Sequence, residues 1–506
     1  MSVRRISLDV LAGAANSAVA LIAALVAMPL YLRFLGSEAF GVLGFALALQ
    51  TIVLALDAGL GIGATRTVAD AQATGRLGSI GPLLNAIARA AWWVGFGGAL
   101  ALALLAPLLA AGWLRLERMP AAHAAQALAL TALLIGLRWP IAFFQGVLLG
   151  ARETVAASAI HAVGTLVATV AAILAAALTS DLRAVVAALC VVSAAQAAVF
   201  ARRSAAVHGA TQRVPAASAV AYFRACAAAG GLGLVGVAVT QIDKVLLSTL
   251  VPASEFGYYM LASLMAGSLY PLVGAVFNVL YPHLAKVAHG SRDDLEASYR
   301  SGTLALTAFV FPVAAALAMF GDSILLAWTR DPVAAAAGGP VVRLLALGAG
   351  LHAIMYAPYA LKLARGATTL ALRISLSMLA LALPLILFCA MRWGAVGAAA
   401  AWLAQHAIYL AAGATWTHAR LMPGVTPRWF AQDVAPPVLV SLAIILALQA
   451  FADAASLHAL ARTLLAGVSV LLAWLVLVLG SRRLRAAAAG IRNSRKETAY
   501  HAKPAA

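Results

Sequence analysis

Along most of the chain, hydrophobic residues run in solid blocks of about 20 or more separated by short polar breaks, the length that crosses a hydrocarbon core of about 30 Å. Membrane strands would alternate apolar and polar positions, so blocks of this kind predict helices. The pattern gives an all-α, polytopic membrane protein with about fourteen transmembrane helices, near 9–32, 40–62, 81–111, 123–148, 155–178, 182–201, 219–250, 256–282, 301–328, 339–362, 369–391, 394–417, 434–452 and 461–480. Composition agrees, with 64% of the 506 residues hydrophobic and 10% charged, far from a soluble domain.

Most of the 35 Lys and Arg fall in alternate polar breaks, beginning with Arg4 and Arg5, and in the tail. The intervening breaks carry only Arg33, Arg115, Arg118, Arg183, Arg330, Arg392 and Arg462. By the positive-inside rule both termini are expected in the cytoplasm. The formal charge of +18 is spread over short inner loops where anionic headgroups meet it, so membrane lipids are expected partners and nucleic acid is not. The tail 481–506, SRRLRAAAAGIRNSRKETAYHAKPAA, reads as a basic segment lying on the membrane or unstructured. Residues 1–30 resemble a signal peptide, but the apolar run is long and carries Asp9 and Asn16, and an uncleaved first span is expected. Cys190, Cys226 and Cys389 stand apart in apolar segments and predict neither a disulfide framework nor a zinc site.

Two stretches share a corner. Ser37-Glu38-Ala39-Phe40-Gly41 and Ser254-Glu255-Phe256-Gly257 each lie at an outer turn that closes one span and opens the next. Such similarity is what a duplicated transporter leaves behind, with both repeats running in the same direction. The reading divides the chain into a lobe at 1–201, a cytoplasmic linker at 202–218, a second lobe at 219–417 and two further helices at 434–480. Proline lies inside the spans at Pro140, Pro271, Pro312, Pro358 and Pro384, where each removes a helix hydrogen bond and can bend the segment.

Charges inside a bilayer are costly, about 2.5–3.5 kcal/mol at a helix centre on insertion scales, and mark cavities or paired sites. Arg138 in LLIGLRWPIAFFQG lies too deep to snorkel easily. Arg89 and Arg224 sit nearer the cytoplasmic face, where both snorkelling and a cavity role stay open. Asp243 and Lys244 are sequence neighbours whose side chains leave a helix about 100° apart, so they are not expected to face each other. Asp57, in LALDAGLGIGATR, has a structural reading and a functional one, and Asn16, Gln50, Gln145 and Gln241 extend the polar set. An interior rich in Arg suits a ligand with anionic oxygens, because the guanidinium fork grips phosphate bidentately.

No enzyme is expected. Gly231-Leu232-Gly233-Leu234-Val235-Gly236 matches G-x-G-x-x-G formally, but within an apolar span and without a preceding strand it is a packing face. Walker, HExxH, nucleophile-elbow and Cys/His patterns are absent. No cofactor or metal is implied, and SRDDLEASYR at 291–300 reads as a helix cap.

YLRFLGSEAFGVLGFALALQ, LALDAGLGIGATR, FFQGVLLGARE, QIDKVLLSTLVPASEFGYYMLA and LHAIMYAPYALKLARGATTLAL together resemble the Wzx-type polysaccharide flippases. These belong to the superfamily that also holds lipid II flippases and multidrug and toxin extrusion transporters. The resemblance spans about residues 1–420. It implies two six-helix lobes in a V with two additional C-terminal helices. The implied task is moving an undecaprenyl-pyrophosphate-linked oligosaccharide between leaflets, as in O-antigen or exopolysaccharide biosynthesis. A polysaccharide polymerase and glycosyltransferases would be its pathway partners. On that resemblance Arg138, Arg89 and Arg224 are the candidate cationic contacts to the substrate, with Asn16, Gln50, Gln145 and Gln241 beside them. Asp57, Asp243 and Lys244 are candidates for ion coupling or for structure. A multidrug exporter of the same superfamily is the alternative, and the excess of interior Arg over Asp argues against it. A membrane ligase or polymerase would need a larger outer loop than 112–122, and a scaffold would not require Arg138.

Overall fold

The computed structural model describes residues 3–56, 58–208 and 216–485. Among these, helices account for the fold and no strand forms, a single isolated bridge pairing Arg115 with Pro252. The chain divides into two compact units, Met1–Met260 and Leu261–Ala506. The first contains α1 (Val3–Leu35), α2 (Ser37–Ala55), α3 (Ala58–Ala73), α4 (Gly81–Leu108), α5 (Ala121–Gly150), α6 (Thr154–Thr179), α7 (Leu182–His208), α8 (Ala216–Leu250) and the start of α9 (Ala253–Gly267). The second continues α9 into α10 (Tyr270–Val287), α11 (Arg292–Thr329), α12 (Pro332–Ile354), α13 (Tyr356–Ala364), α14 (Thr368–Ile408), α15 (Ala414–Leu421), α16 (Thr426–Arg428), α17 (Ala435–Ala454) and α18 (Ala459–Gly480). Compactness thus divides the chain within α9, whereas the repeat pattern divides it at 202–218. The duplication stays a proposal.

Twelve stretches of the described residues are long and apolar enough to cross a membrane. One of them, Thr368–Leu421, is 54 residues long and breaks at Trp393-Gly394, where Gly394 takes φ +58°, so it holds two of the predicted spans. Helix α8 lies over the predicted span at 219–250. The molecule is therefore the all-α, multi-spanning membrane protein that the apolar blocks predict.

The prolines act in two ways. Pro271 and Pro358 interrupt their spans: α9 ends at Gly267 and α12 at Ile354, in each case four residues before the proline, at the carbonyl its ring would strike and whose hydrogen bond it cannot make. Pro140, Pro312 and Pro384 sit inside continuous helices.

In the first unit α5 is the central element, packed against α3, α4 and α7. Glycine makes one of these contacts close: a Cβ at Gly146 would fall 2.2 Å from the Gly61 carbonyl oxygen. Without a hydrophobic effect between helices in lipid, such backbone approach is a main source of association. Phe143, Phe144, Val147 and Leu148 on α5 fill the space against Leu60, Leu84 and Phe200.

The two similar corners meet each other. A Cβ at Gly41 would stand 1.8 Å from the Ala253 carbonyl oxygen and 3.2 Å from the Gly257 nitrogen, and one at Gly257 would stand 2.6 Å from the Ser37 oxygen. The Glu38 carboxylate accepts hydrogen bonds from the backbone N–H groups of Glu117 at 2.6 Å, Arg118 at 3.0 Å and Met119 at 3.1 Å. The Ser254 hydroxyl donates to the Glu117 carboxylate, and the Ala253 N–H to the Arg115 carbonyl at 2.9 Å. Both corners are thereby tied to the 114–120 loop.

In the second unit, α11 is enclosed by α12, α17 and α18. Asp433, fully buried, accepts from Arg300 Nε at 2.6 Å and Arg483 at 3.0 Å. The connection between α16 and α17 is thus fastened to α11 and to the segment after α18.

Candidate functional site

A cavity of about 420 Å³ lies among α1, α2, α5, α6 and α7 of the first unit. Helical spacing builds its polar wall. Arg138, Ile141, Ala142 and Gln145 on α5 are three to four residues apart and share one face, which turns into the cavity. His161, Thr165 and Thr169 follow the same spacing on α6, Gln196 enters from α7, Gln50 from α2 and Tyr31 from α1.

Among the described residues Arg138 is the only charged one in the lining, and no described carboxylate accompanies it. Its Nε donates to Ser193 Oγ at 3.1 Å, which fixes the plane of the guanidinium. Its two terminal nitrogens make no hydrogen bond or ion pair with the described residues. Gln50 Oε1 and His161 Nδ1 are sealed from solvent and also lack a hydrogen-bond partner among the described residues. Gln196 Nε2 donates to the Ile160 carbonyl at 3.2 Å, holding α6 to α7. A buried donor or acceptor left unsatisfied costs about 1–3 kcal/mol, more when charged. A guanidinium with unspent donors beside amide groups can hydrogen-bond anionic oxygens.

The expected site residues separate. Arg138, Gln50 and Gln145 come together in this cavity. Arg89 and Arg224 are exposed and outside its lining, as is Gln241, which is half-buried. Asn16 is also outside the lining, its Oδ1 sealed and without a hydrogen-bond partner among the described residues. Asp57 lies outside the described residues. Asp243 and Lys244 depart from the expectation that neighbours on a helix do not face each other: they form an ion pair at 3.2 Å. The lysine stem is long enough to curl back, and its ammonium also donates to the Thr240 carbonyl at 3.1 Å. Tyr259 completes the arrangement by donating to Asp243 at 2.6 Å. Sequence reasoning missed Tyr31, His161, Ser193 and Gln196. A histidine and a glutamine within apolar spans were the available signals.

The fold defines a multi-spanning helical membrane protein with a buried guanidinium in one of its cavities. The profile of the family described as polysaccharide biosynthesis protein matches residues 30–329, and the chain belongs to that family, which bears out the resemblance read from its motifs. No curated protein sequence matches the chain. Among solved structures, the lipid II flippase MurJ in an inward closed conformation is similar with a TM-score of 0.73 at 12% identity, covering 93% of this chain and 99% of that one. An inward-facing multidrug resistance MATE family transporter of the MOP superfamily gives a TM-score of 0.66 at 12% identity, over 81% of this chain and 96% of that one. A MOP superfamily transporter from Pyrococcus furiosus gives 0.58 at 13% identity, over 82% and 94%. At these identities the likeness is one of fold.

Proposed function

We propose that the protein is a flippase, not an enzyme, and that it moves an undecaprenyl-pyrophosphate-linked oligosaccharide across the bacterial inner membrane by alternating access, for O-antigen or exopolysaccharide assembly. The observation that carries the reading is Arg138: a guanidinium whose two terminal donor nitrogens are unspent and beside which no carboxylate stands among the described residues, in a membrane-embedded cavity of a polysaccharide biosynthesis family member. A pyrophosphate would supply the missing acceptors, with Gln50 and Gln145 as further contacts. Arg89 and Arg224, exposed on their helices, are assigned to approach or to lipid anchoring. Because the Asp243–Lys244 pair is internally satisfied, we assign it to structure before coupling.

The lipid part has a matching surface. In the second unit an apolar groove of about 910 Å³ runs between α10, α11 and α18, lined by Val276, Leu280, Ala305, Trp474 and Leu477. A polyprenyl chain could stay in such a groove or in lipid while the head passes through a wet, basic path. The membrane potential favours outward movement of the head, by about 2.3 kcal/mol per negative charge and 100 mV. A multidrug exporter for cationic compounds is disfavoured, since Arg138 would repel them.

Complementation tests the proposal. In a strain lacking the protein, Arg138→Ala at normal membrane levels should abolish surface glycan and leave lipid-linked repeat units inside, and Arg138→Lys should restore it partly. Full glycan display by both variants would refute Arg138 as the substrate contact.

A further inference from the structure

Lys362, on α13, is 1% exposed. Its ammonium makes no hydrogen bond or ion pair with the described residues. What it has instead is two phenol rings, those of Tyr359 and Tyr409, each with its centroid 5.9 Å from Nζ. A cation over aromatic faces is stabilised by the ring quadrupole, and this offsets only part of its lost hydration. Burial also separates Lys362 from an ordinary interfacial lysine, which would extend its head to the headgroups.

The neighbouring rings form a platform. Phe277 stacks on Tyr281 at 5.8 Å with an interplanar angle of 8°, and on Tyr359 at 6.0 Å and 22°. Tyr356 meets Phe277 edge-on at 5.7 Å and 87°. These rings are half-buried, and the hydroxyls of Tyr281, Tyr356, Tyr359 and Tyr409 make no hydrogen bond with the described residues. Local backbone departures bring the parts together: the break before Tyr356 places α13, and Tyr409 opens a π-helical turn, Tyr409–Gly413, a distortion that occurs often at functional sites.

We propose that this aromatic platform with Lys362 is a second binding site, for a sugar ring that carries a carboxylate, that is, a uronic acid class residue of the glycan. A sugar ring offers a face of C–H groups to an aromatic plane, whose negative face attracts them. Its rim hydroxyls find the unspent phenols, and its carboxylate gives Lys362 the counter-charge the fold withholds. The inference deepens the flippase reading and rests on it for biological meaning, but its test does not use transport.

The full-length protein in phosphatidylcholine nanodiscs is titrated calorimetrically with trigalacturonic acid, with neutral galactotriose, and with acetate as a bare anion. The acidic trisaccharide should bind at least about tenfold more tightly than the neutral one, the value of one charge-assisted contact. Lys362→Met, which removes a buried charge at similar volume, should erase that preference, and Lys362→Arg should retain it. Tyr359→Ala should weaken both sugars. Equal binding of the two sugars, no binding of either, a preference that survives Lys362→Met, or acetate binding as tightly as the acidic sugar would overturn the proposal. The titrations are run in the Arg138→Ala background, where the cavity of the first unit no longer competes for the acidic sugar, and the flippase reading is tested by complementation, so failure here and failure of that reading are told apart.

Discussion

Replacing Gly41 by alanine adds one methyl group where two helix starts cross, and the structure allows its cost to be worked out. The new Cβ would stand 1.8 Å from the Ala253 carbonyl oxygen and 2.7 Å from its carbonyl carbon. A carbon and a carbonyl oxygen rest at about 3.3–3.6 Å, so α2 and α9 must separate by about 1.5 Å. The obstacle is backbone, not a side chain that can turn aside. Withdrawal of α2 also moves Glu38, one turn earlier on the same face, away from the N–H groups of Glu117, Arg118 and Met119. Overpacking costs about 1–3 kcal/mol, and strained charge-assisted bonds add to it, so about 3 kcal/mol is expected. At about 2 °C per kcal/mol for a unit of this size, Gly41→Ala should lower the melting temperature in detergent by about 6 °C. Gly257→Ala, with its Cβ 2.6 Å from the Ser37 oxygen, should cost less. The double variant should cost less than the sum, because the first separation makes room for the second methyl group. Gly97→Ala in α4, with nothing within 4 Å of the added carbon, should be neutral or stabilising by up to about 1 kcal/mol. A Gly41→Ala protein as stable as the parent, or strict additivity of the pair, would refute the contact as described.

Other perturbations have equally definite outcomes. Asp433→Ala should cost about 3–5 kcal/mol, the value of leaving a buried charge without its partner, because Arg300 and Arg483 both close on that carboxylate; Asp433→Leu should fare no better, as read by thermal unfolding. Asp181, between α6 and α7, accepts from the Arg183 backbone N–H at 2.8 Å and pairs with its guanidinium at 2.7 Å. That hydrogen bonding holds its carboxyl below the usual carboxylate range, so its contribution is complete above the unfolded carboxylate pKa and is lost as pH falls through the depressed one. Asp181→Ala should therefore cost about 1 kcal/mol at neutral pH and nothing at acid pH, compared by melting the two proteins at both. Lys244→Met should destabilise the protein without abolishing glycan display if the pair with Asp243 is structural, measured by complementation at matched expression.

Much of this architecture is legible in the chain because a bilayer leaves few choices. Solid apolar blocks must be helices, and the blocks at 369–391 and 394–417 survive as one long helix broken where Gly394 can adopt a positive φ. Arg138 was legible for the same reason, since a deep guanidinium needs a polar surrounding, and its spacing to Gln145 forecasts a shared face. The rest depends on which helices become neighbours. Tyr31, His161 and Gln196 join Arg138 only because α6 and α7 pack against α5 and α1 packs against α6. Asp243 and Lys244 defeated the simple wheel argument because a lysine stem can reach its own neighbour. Lys362 and Asp433 stood at the edges of predicted spans, where a charge normally meets headgroups, and burial became visible only once α13 and the α16–α17 connection had been placed. The meeting of the two corners was hidden for a further reason: similarity between segments carries no information about contact between them.

The central claim is that the cationic cavity serves passage of a lipid-linked glycan. The most direct measurement reconstitutes the purified protein in liposomes containing an undecaprenyl-pyrophosphate-linked oligosaccharide and follows its appearance in the outer leaflet with a membrane-impermeant glycosidase. The account predicts protein-dependent appearance that falls to the empty-liposome rate with Arg138→Ala and is partly kept with Arg138→Lys. Appearance at the full rate with Arg138→Ala, or none with the unmodified protein under an inside-negative potential, would contradict it.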